Sequence, residues 1–264
     1  ELIEIDRFVR RNTLARFGPV REVTHEKTQG LVRGLDLSLQ PGQCWALLGR
    51  NGSGKTSLIL ALAGLRAPQA GSVSLDGAPL ASLGRAEIAR RVAVLLQDEE
   101  SDFWGSTLDY AMLGRYPASR SAWSRDEDGL ARARRCLAEL DLGEHESQSW
   151  RTLSGGERQR SRIAQTLVQD ADVLLLDEPL QHLDLRHQSA VMRALAGRAA
   201  AGKTVLTALH EPGYAARHCG FSVLLYDAGR ASLGRSSDML TQANLEALYQ
   251  CRLEPAGARS FLPS

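Results

Sequence analysis

The run Gly49-Arg50-Asn51-Gly52-Ser53-Gly54-Lys55-Thr56 restricts what this chain can fold into more than any other segment. It fits the pattern GxxxxGK[ST], in which a glycine-rich turn feeds into a helix and gathers backbone N–H groups around one anion. Such a turn works only with a strand before it and a helix behind it. Residues 44–48 supply an apolar run of strand length, and residues 55–63 carry a helical pattern. A triphosphate suits this arrangement. Gly49, Gly52 and Gly54 allow the tight wrap, with Asn51, Ser53 and Ser57 as further candidate phosphate-site residues. Lys55 is placed to set its ammonium between the outer phosphates of ATP, and Thr56 to offer a hydroxyl to Mg2+.

Further along, strand-like apolar runs alternate with helical patterns, which predicts an α/β fold whose mostly parallel sheet is covered on both faces. Residues 92–96, 173–177, 205–209 and 222–226 are the other expected core strands. Residues 71–75 and the turn Asp76-Gly77 predict a small antiparallel sheet, since Asp-Gly is a hairpin signal. From residue 101 to about residue 152 the pattern turns helical, with helices expected over 107–113 and 125–140, the second opened by a capping box from Ser124 to Glu127. Residues 163–168 lie on a helix, and another begins at Leu185. Residues 7–16 fit strand, helix or neither. Asp177 and Glu178 end the strand of Val173-Leu174-Leu175-Leu176, the place where open α/β sheets present ligand-binding groups. Asp177 is expected to help hold Mg2+ through a water, and Glu178 to act as general base on the water that attacks the γ-phosphate.

The 264 residues suffice for one large α/β domain or two small ones. A balance of 32 basic and 31 acidic side chains argues against a surface dedicated to nucleic acid or anionic lipid. Arg132, Arg134 and Arg135 accordingly read as a solvated helix face. No apolar run approaches the ~20 residues of a membrane span, and Glu1-Leu2-Ile3-Glu4-Ile5-Asp6 lacks the features of a secretory signal. The expected compartment is the cytosol. Cys44, Cys136, Cys219 and Cys251 show neither zinc nor disulfide spacing and are expected to be reduced and mostly buried.

One further stretch, Leu153-Ser154-Gly155-Gly156-Glu157-Arg158-Gln159-Arg160, belongs to neither nucleotide motif. Ser154 to Glu157 satisfies a capping box, but two adjacent glycines weaken a first helical turn by about 1 kcal/mol each relative to Ala unless something must approach the backbone closely. With the glycine loop and the Asp177-Glu178-Pro179 strand end, this signature resembles the ATPase subunits of ABC transporters. The resemblance implies a P-loop NTPase core of RecA type with a small antiparallel β-subdomain and a helical insert at about residues 101–152, all within one ABC ATPase domain spanning 1–264. It makes Gln97 the Q-loop glutamine that senses Mg2+ or the attacking water, and His210 the switch histidine at the γ-phosphate. It also implies a head-to-tail homodimer with ATP at two shared sites. Ser154, Gly155 and Gly156, with Asp184 of the D-loop beside Leu183, then act on the ATP held by the partner copy.

Met112-Leu113-Gly114-Arg115-Tyr116-Pro117 and His182-Leu183-Asp184-Leu185-Arg186-His187-Gln188 further resemble importers of iron-siderophore, haem and cobalamin. That group implies transmembrane permease subunits as partners, a substrate-binding protein acting indirectly, and a peripheral position on the cytoplasmic face of the inner membrane. Gln97 and the helical insert are expected to form the groove for a permease helix, with Asp102, Phe103 and Trp104 on its floor. A soluble, non-transport ABC ATPase and an exporter subunit are the alternatives. Two departures stand out. Between Gly18 and Trp45 no aromatic other than His25 is available to stack on adenine, which leaves Phe17 or His25, and position 211 holds Glu where the family often has Asp.

Overall fold

The structure, a computed structural model, describes residues 20–23, 32–97, 102–118, 126–257 and 260–263. Residues 7–16, Phe17, His25 and Ser124 lie outside them.

The apolar runs become strands because each buries both faces. Strand β1 (Val20–Val23) pairs antiparallel with β2 (Val32–Leu35). Strand β3 (Cys44–Gly49) points Cys44, Ala46 and Leu48 into one apolar cluster and Trp45 and Leu47 into another on the opposite face. Behind it, α1 (Lys55–Leu62) buries Leu58, Ile59 and Leu62 in the second cluster. Strands β4 (Ser74–Leu75) and β5 (Ala78–Pro79) form the expected hairpin, Leu75 facing Ala78 across Asp76 and Gly77. Helix α2 (Arg85–Arg91) runs directly into β6 (Val92–Leu95).

Followed directly by α5 (Gly155–Val168), the helical stretch contains α3 (Thr107–Met112) and α4 (Glu127–Glu139). Its Ala111, Leu137 and Leu140 share one apolar cluster with Leu174 and Leu176 of β7 (Val173–Asp177), so the helices and the sheet have a common core. Buried Arg160 of α5 donates to the carbonyls of Leu140 and Asp141, which end α4, at 2.7 and 2.8 Å. The capping box expected from Ser124 is overturned: α4 starts at Glu127, and its N-cap is Asp126. The Asp126 carboxylate accepts from the Gly129 N–H at 2.8 Å and from Arg115 Nε at 2.8 Å, so a tertiary partner selects the cap.

Helix α6 (Leu185–Ala200) leads to β8 (Thr204–Leu209), α7 (Pro212–His218) to β9 (Phe221–Leu225), and β10 (Ala231–Arg235) closes the sheet. The order is β10-β9-β3-β8-β7-β6, parallel except for β10. Helices α8 (Ser236–Met239) and α9 (Gln242–Tyr249) follow, and β11 (Leu253–Gly257) pairs with β12 (Ser260–Pro263). All four cysteines are free, and Cys251 alone among them is exposed. Among the described residues no helix is long and apolar enough to cross a membrane.

Candidate nucleotide site

The parallel order brings the C-terminal ends of β3, β7, β8 and β6 to one edge, and four motifs far apart in sequence meet there. The glycine loop turns through Gly54, whose φ of +102° at the N-cap of α1 is a left-handed conformation that side chains resist. Lys55, 5% exposed, folds back so that Nζ donates to the carbonyls of Gly49 at 2.9 Å and Arg50 at 3.4 Å. Asn51, Gly52, Gly54, Lys55, Thr56 and Ser57 line a cavity of about 610 Å³ with Gln97, Glu178 and His210. The 600 Å³ scale is that of a small-molecule site. Ser53 is buried beneath the loop, its hydroxyl without a hydrogen-bond partner, and Gly49 ends β3 against β9.

Glu178 is the hub. Its Oε1 lies 2.7 Å from His210 Nε2 and 3.5 Å from Lys55 Nζ, and its Oε2 accepts from Gln97 Nε2 at 3.1 Å and from the Gln181 amide. It is 7% exposed and has a φ of +50°, a left-handed strain of roughly 1–2 kcal/mol that is kept where a side chain must be aimed. Asp177 next to it is fully buried. Neither of its carboxylate oxygens has a hydrogen bond of good geometry, although the Thr56 hydroxyl is near enough to draw its pKa down. Burial dominates and, with the Glu178 charge, lifts the Asp177 pKa above the ordinary 3.8. Two buried, unpartnered carboxylate oxygens beside a hydroxyl are the hard donors that Mg2+ takes, so the residues fit the ion.

The signature lies elsewhere. Ser154 caps α5, its hydroxyl accepting from the Glu157 N–H at 3.3 Å while Glu157 Oε2 accepts from the Ser154 N–H at 2.7 Å. Donation from the Ser154 N–H first, and from its hydroxyl second, holds the Glu157 carboxyl below its ordinary pKa. The two glycines differ. A Cβ on Gly156 would meet the His182 carbonyl at 3.1 Å, so the chain itself accounts for that glycine, whereas one on Gly155 would meet nothing within 4 Å. Asp184 caps α6 by accepting from the His187 N–H at 2.9 Å. Neither Asp184 nor Ser154, Gly155 or Gly156 lines the cavity over the glycine loop.

Three contacts were not anticipated. Gln181 joins the Glu178 hub, Arg162 of α5 donates to the carbonyls of Leu96 and Gln97 at 2.6 and 3.3 Å, and Tyr249 at the end of α9 donates to the His210 carbonyl at 3.0 Å.

A profile of the family described as ABC transporter matches residues 32–181, which include the glycine loop, Gln97, the signature and both carboxylates. The chain belongs to the ABC transporter family. Binding and hydrolysis of ATP follow from that membership. This ABC ATPase is 38% identical over 252 residues to a hemin import ATP-binding protein of Nocardia farcinica, covering 93% of this chain and 84% of that relative. A protein of the same description from Pseudomonas entomophila is 40% identical, over 81% of this chain and 84% of its own length. A metal-chelate type ABC transporter solved in an inward-facing conformation matches with a TM-score of 0.78 at 25% identity, over 95% of this chain and 96% of that one. An Atm1-family exporter with ATP bound shares the fold, with a TM-score of 0.75 at 22% identity over 90% of this chain and 41% of its own.

Proposed function

We propose that this chain is the ATP-hydrolysing subunit of an importer whose cargo is haem or a related metal chelate. The observation that carries the reading is identity of 38–40% to hemin import ATP-binding proteins over 81–93% of the chain. The chain works with transmembrane permease subunits at the cytoplasmic face of the inner membrane, and a substrate-binding protein delivers cargo to them. Residues 1–264 form one ABC ATPase domain, with residues 101–152 as its helical insert.

In this reading Lys55 leaves the carbonyls of Gly49 and Arg50 for the phosphates of ATP, which removes a cation from Glu178. Glu178 then accepts the proton of the attacking water, while His210 and Gln97 hold its two oxygens. Mg2+, bound through Thr56, Asp177 and Gln97, supplies charge neutralisation at the phosphates. The open face at Gly155 receives the nucleotide of a second copy, so two chains close head to tail around two ATP molecules.

Gly155→Ala tests the sandwich. The substitution is expected to stabilise the isolated chain by about 0.4–1 kcal/mol, because Ala loses less backbone freedom on folding. It is also expected to weaken Mg-ATP-dependent dimerisation and hydrolysis. Melting, size measurements and turnover check it, and unchanged dimerisation and hydrolysis would remove the claim.

Trp104 carries the permease assignment. It is 77% exposed with the Arg151 guanidinium 4.1 Å above its ring, and Asp102 pairs with Arg151 at 3.1 Å. Phe103 instead packs edge-on against Tyr110 and Trp150. Exposed aromatics of this kind are frequent interface anchors. With the permease reconstituted in vesicles, Trp104→Ala is expected to cut ATP-dependent haemin uptake severalfold, and unimpaired uptake would overturn the docking assignment.

A further inference from the structure

Arg162 is a buried cation held by backbone carbonyls. It lies on α5 at 8% exposure, and among the described residues no carboxylate pairs with it. Its Nη2 donates to the Leu96 carbonyl at 2.6 Å, and Nη1 donates to the Gln97 carbonyl at 3.3 Å and to Gln159 Oε1 at 3.0 Å, while Nε has no partner. Burying a guanidinium is costly, since neutral oxygen acceptors make up only part of its lost hydration. An apolar side chain could fill this buried position at lower cost, so the arrangement calls for a function.

The carbonyls it holds are significant. Strand β6 ends at Leu95, whose register partner is Leu176, so the next two residues leave the sheet with no ladder to fix them. Arg162 takes over where the ladder stops. One turn away, Gln159 Nε2 donates to the Pro179 carbonyl at 3.1 Å, immediately after Glu178. Helix α5 therefore grips the chain on both sides of the 3.1 Å bond from Gln97 to Glu178.

We infer that Arg162 is a positioning residue for hydrolysis. It sets the Gln97 side chain against Glu178 by clamping the Leu96 and Gln97 carbonyls to α5. Eight residues separate Ser154 at the start of α5 from Arg162, about 12 Å of helix. Any displacement of the signature end consequently reaches Gln97 through a short rigid rod. A guanidinium suits the task because its planar fork holds its donors at fixed separations, whereas an ammonium rotates freely at the end of a flexible stem. The inference rests on the roles assigned above to Gln97 and Glu178.

The test is steady-state ATP hydrolysis by the whole chain, comparing Arg162→Met, Arg162→Lys and Gln97→Ala, each alone, and Arg162→Met with Gln97→Ala. Misplacing a reacting group by about an ångström costs up to ~100-fold, so Arg162→Met is expected to lower kcat by about 10- to 100-fold. KM for ATP should stay near the parent value, and Arg162→Lys should recover part of the loss. In the Gln97→Ala background Arg162→Met should add little, because both changes remove the same contribution. Impaired Gln97→Ala with parental kcat in Arg162→Met overturns this inference alone, as does a full additional loss in the double variant. Parental kcat in Gln97→Ala overturns the Gln97 assignment and this inference with it. If Arg162→Met fails to fold, Arg162→Lys keeps the buried charge, and a parental kcat in that variant overturns the inference.

Discussion

Glu178→Gln is expected to lower kcat by roughly 10²- to 10⁴-fold, the usual contribution of a general base, while ATP binding survives. The geometry explains both halves. In the free chain Glu178 is ringed by donors from His210, Gln97, Gln181 and Lys55, each of which needs an acceptor. Gln preserves the shape and one acceptor oxygen, so the cavity keeps its form. It cannot take a proton from water. The other half of the amide turns donors toward donors, which further disfavours the arrangement of the free chain. With hydrolysis blocked, the proposed sandwich would keep its ATP between two copies, and the variant should then run at twice the monomer mass in Mg-ATP. Turnover at the parental rate would remove Glu178 from the chemistry, and a monomer under those conditions would remove the sandwich.

Asp177→Asn should separate stability from function. The folded-state pKa of Asp177 is raised by burial above the 3.8 of an exposed carboxyl. The unfolded chain therefore gives up this proton more readily than the folded one. The carboxylate opposes folding at every pH above its folded pKa, and the penalty fades as the pH falls through that value toward 3.8. Asn stays polar but removes the buried charge, a relief worth ~1 kcal/mol or more, and in a chain this size each kcal/mol moves Tm by about 2–4 °C. The nucleotide-free variant should thus melt about 2–4 °C higher at neutral pH, with the advantage shrinking in acid. Mg2+-dependent hydrolysis should nearly vanish, because a neutral amide is a much poorer ligand for a hard cation. Melting curves across pH and turnover with Mg-ATP check the two effects. A lower Tm for the variant would show that the charge is compensated in the fold.

Much of this site is legible in the residues themselves. Strands β3 and β7 are apolar at every position before their ends because both faces are covered, and that run stops where charge is needed, at the glycine loop and at Asp177. The glycine loop announces the same edge of the sheet. Contacts that depend on tertiary distance are harder to read. Nothing local says that Arg162 reaches Leu96, 66 positions away, or that Tyr249 reaches His210. The cap of α4 failed for the same reason, since Arg115 recruits Asp126 from outside the local pattern. The paired glycines were half legible: their rarity in a first turn is a signal, but only the His182 carbonyl distinguishes the glycine required inside the chain from the one left open.

The last helix has a practical consequence for protein engineering. Tyr249 holds the His210 carbonyl, and Gln250 bonds both Arg50 of the glycine loop, at 2.7 Å, and Asp227, at 2.6 Å. A truncation placed before Tyr249 would leave every recognised motif in the sequence and still loosen the loops on two sides of the nucleotide. Fusion tags and domain-swap junctions belong after Gln250, and a silent product cut any earlier is a lesion in assembly rather than evidence about the motifs.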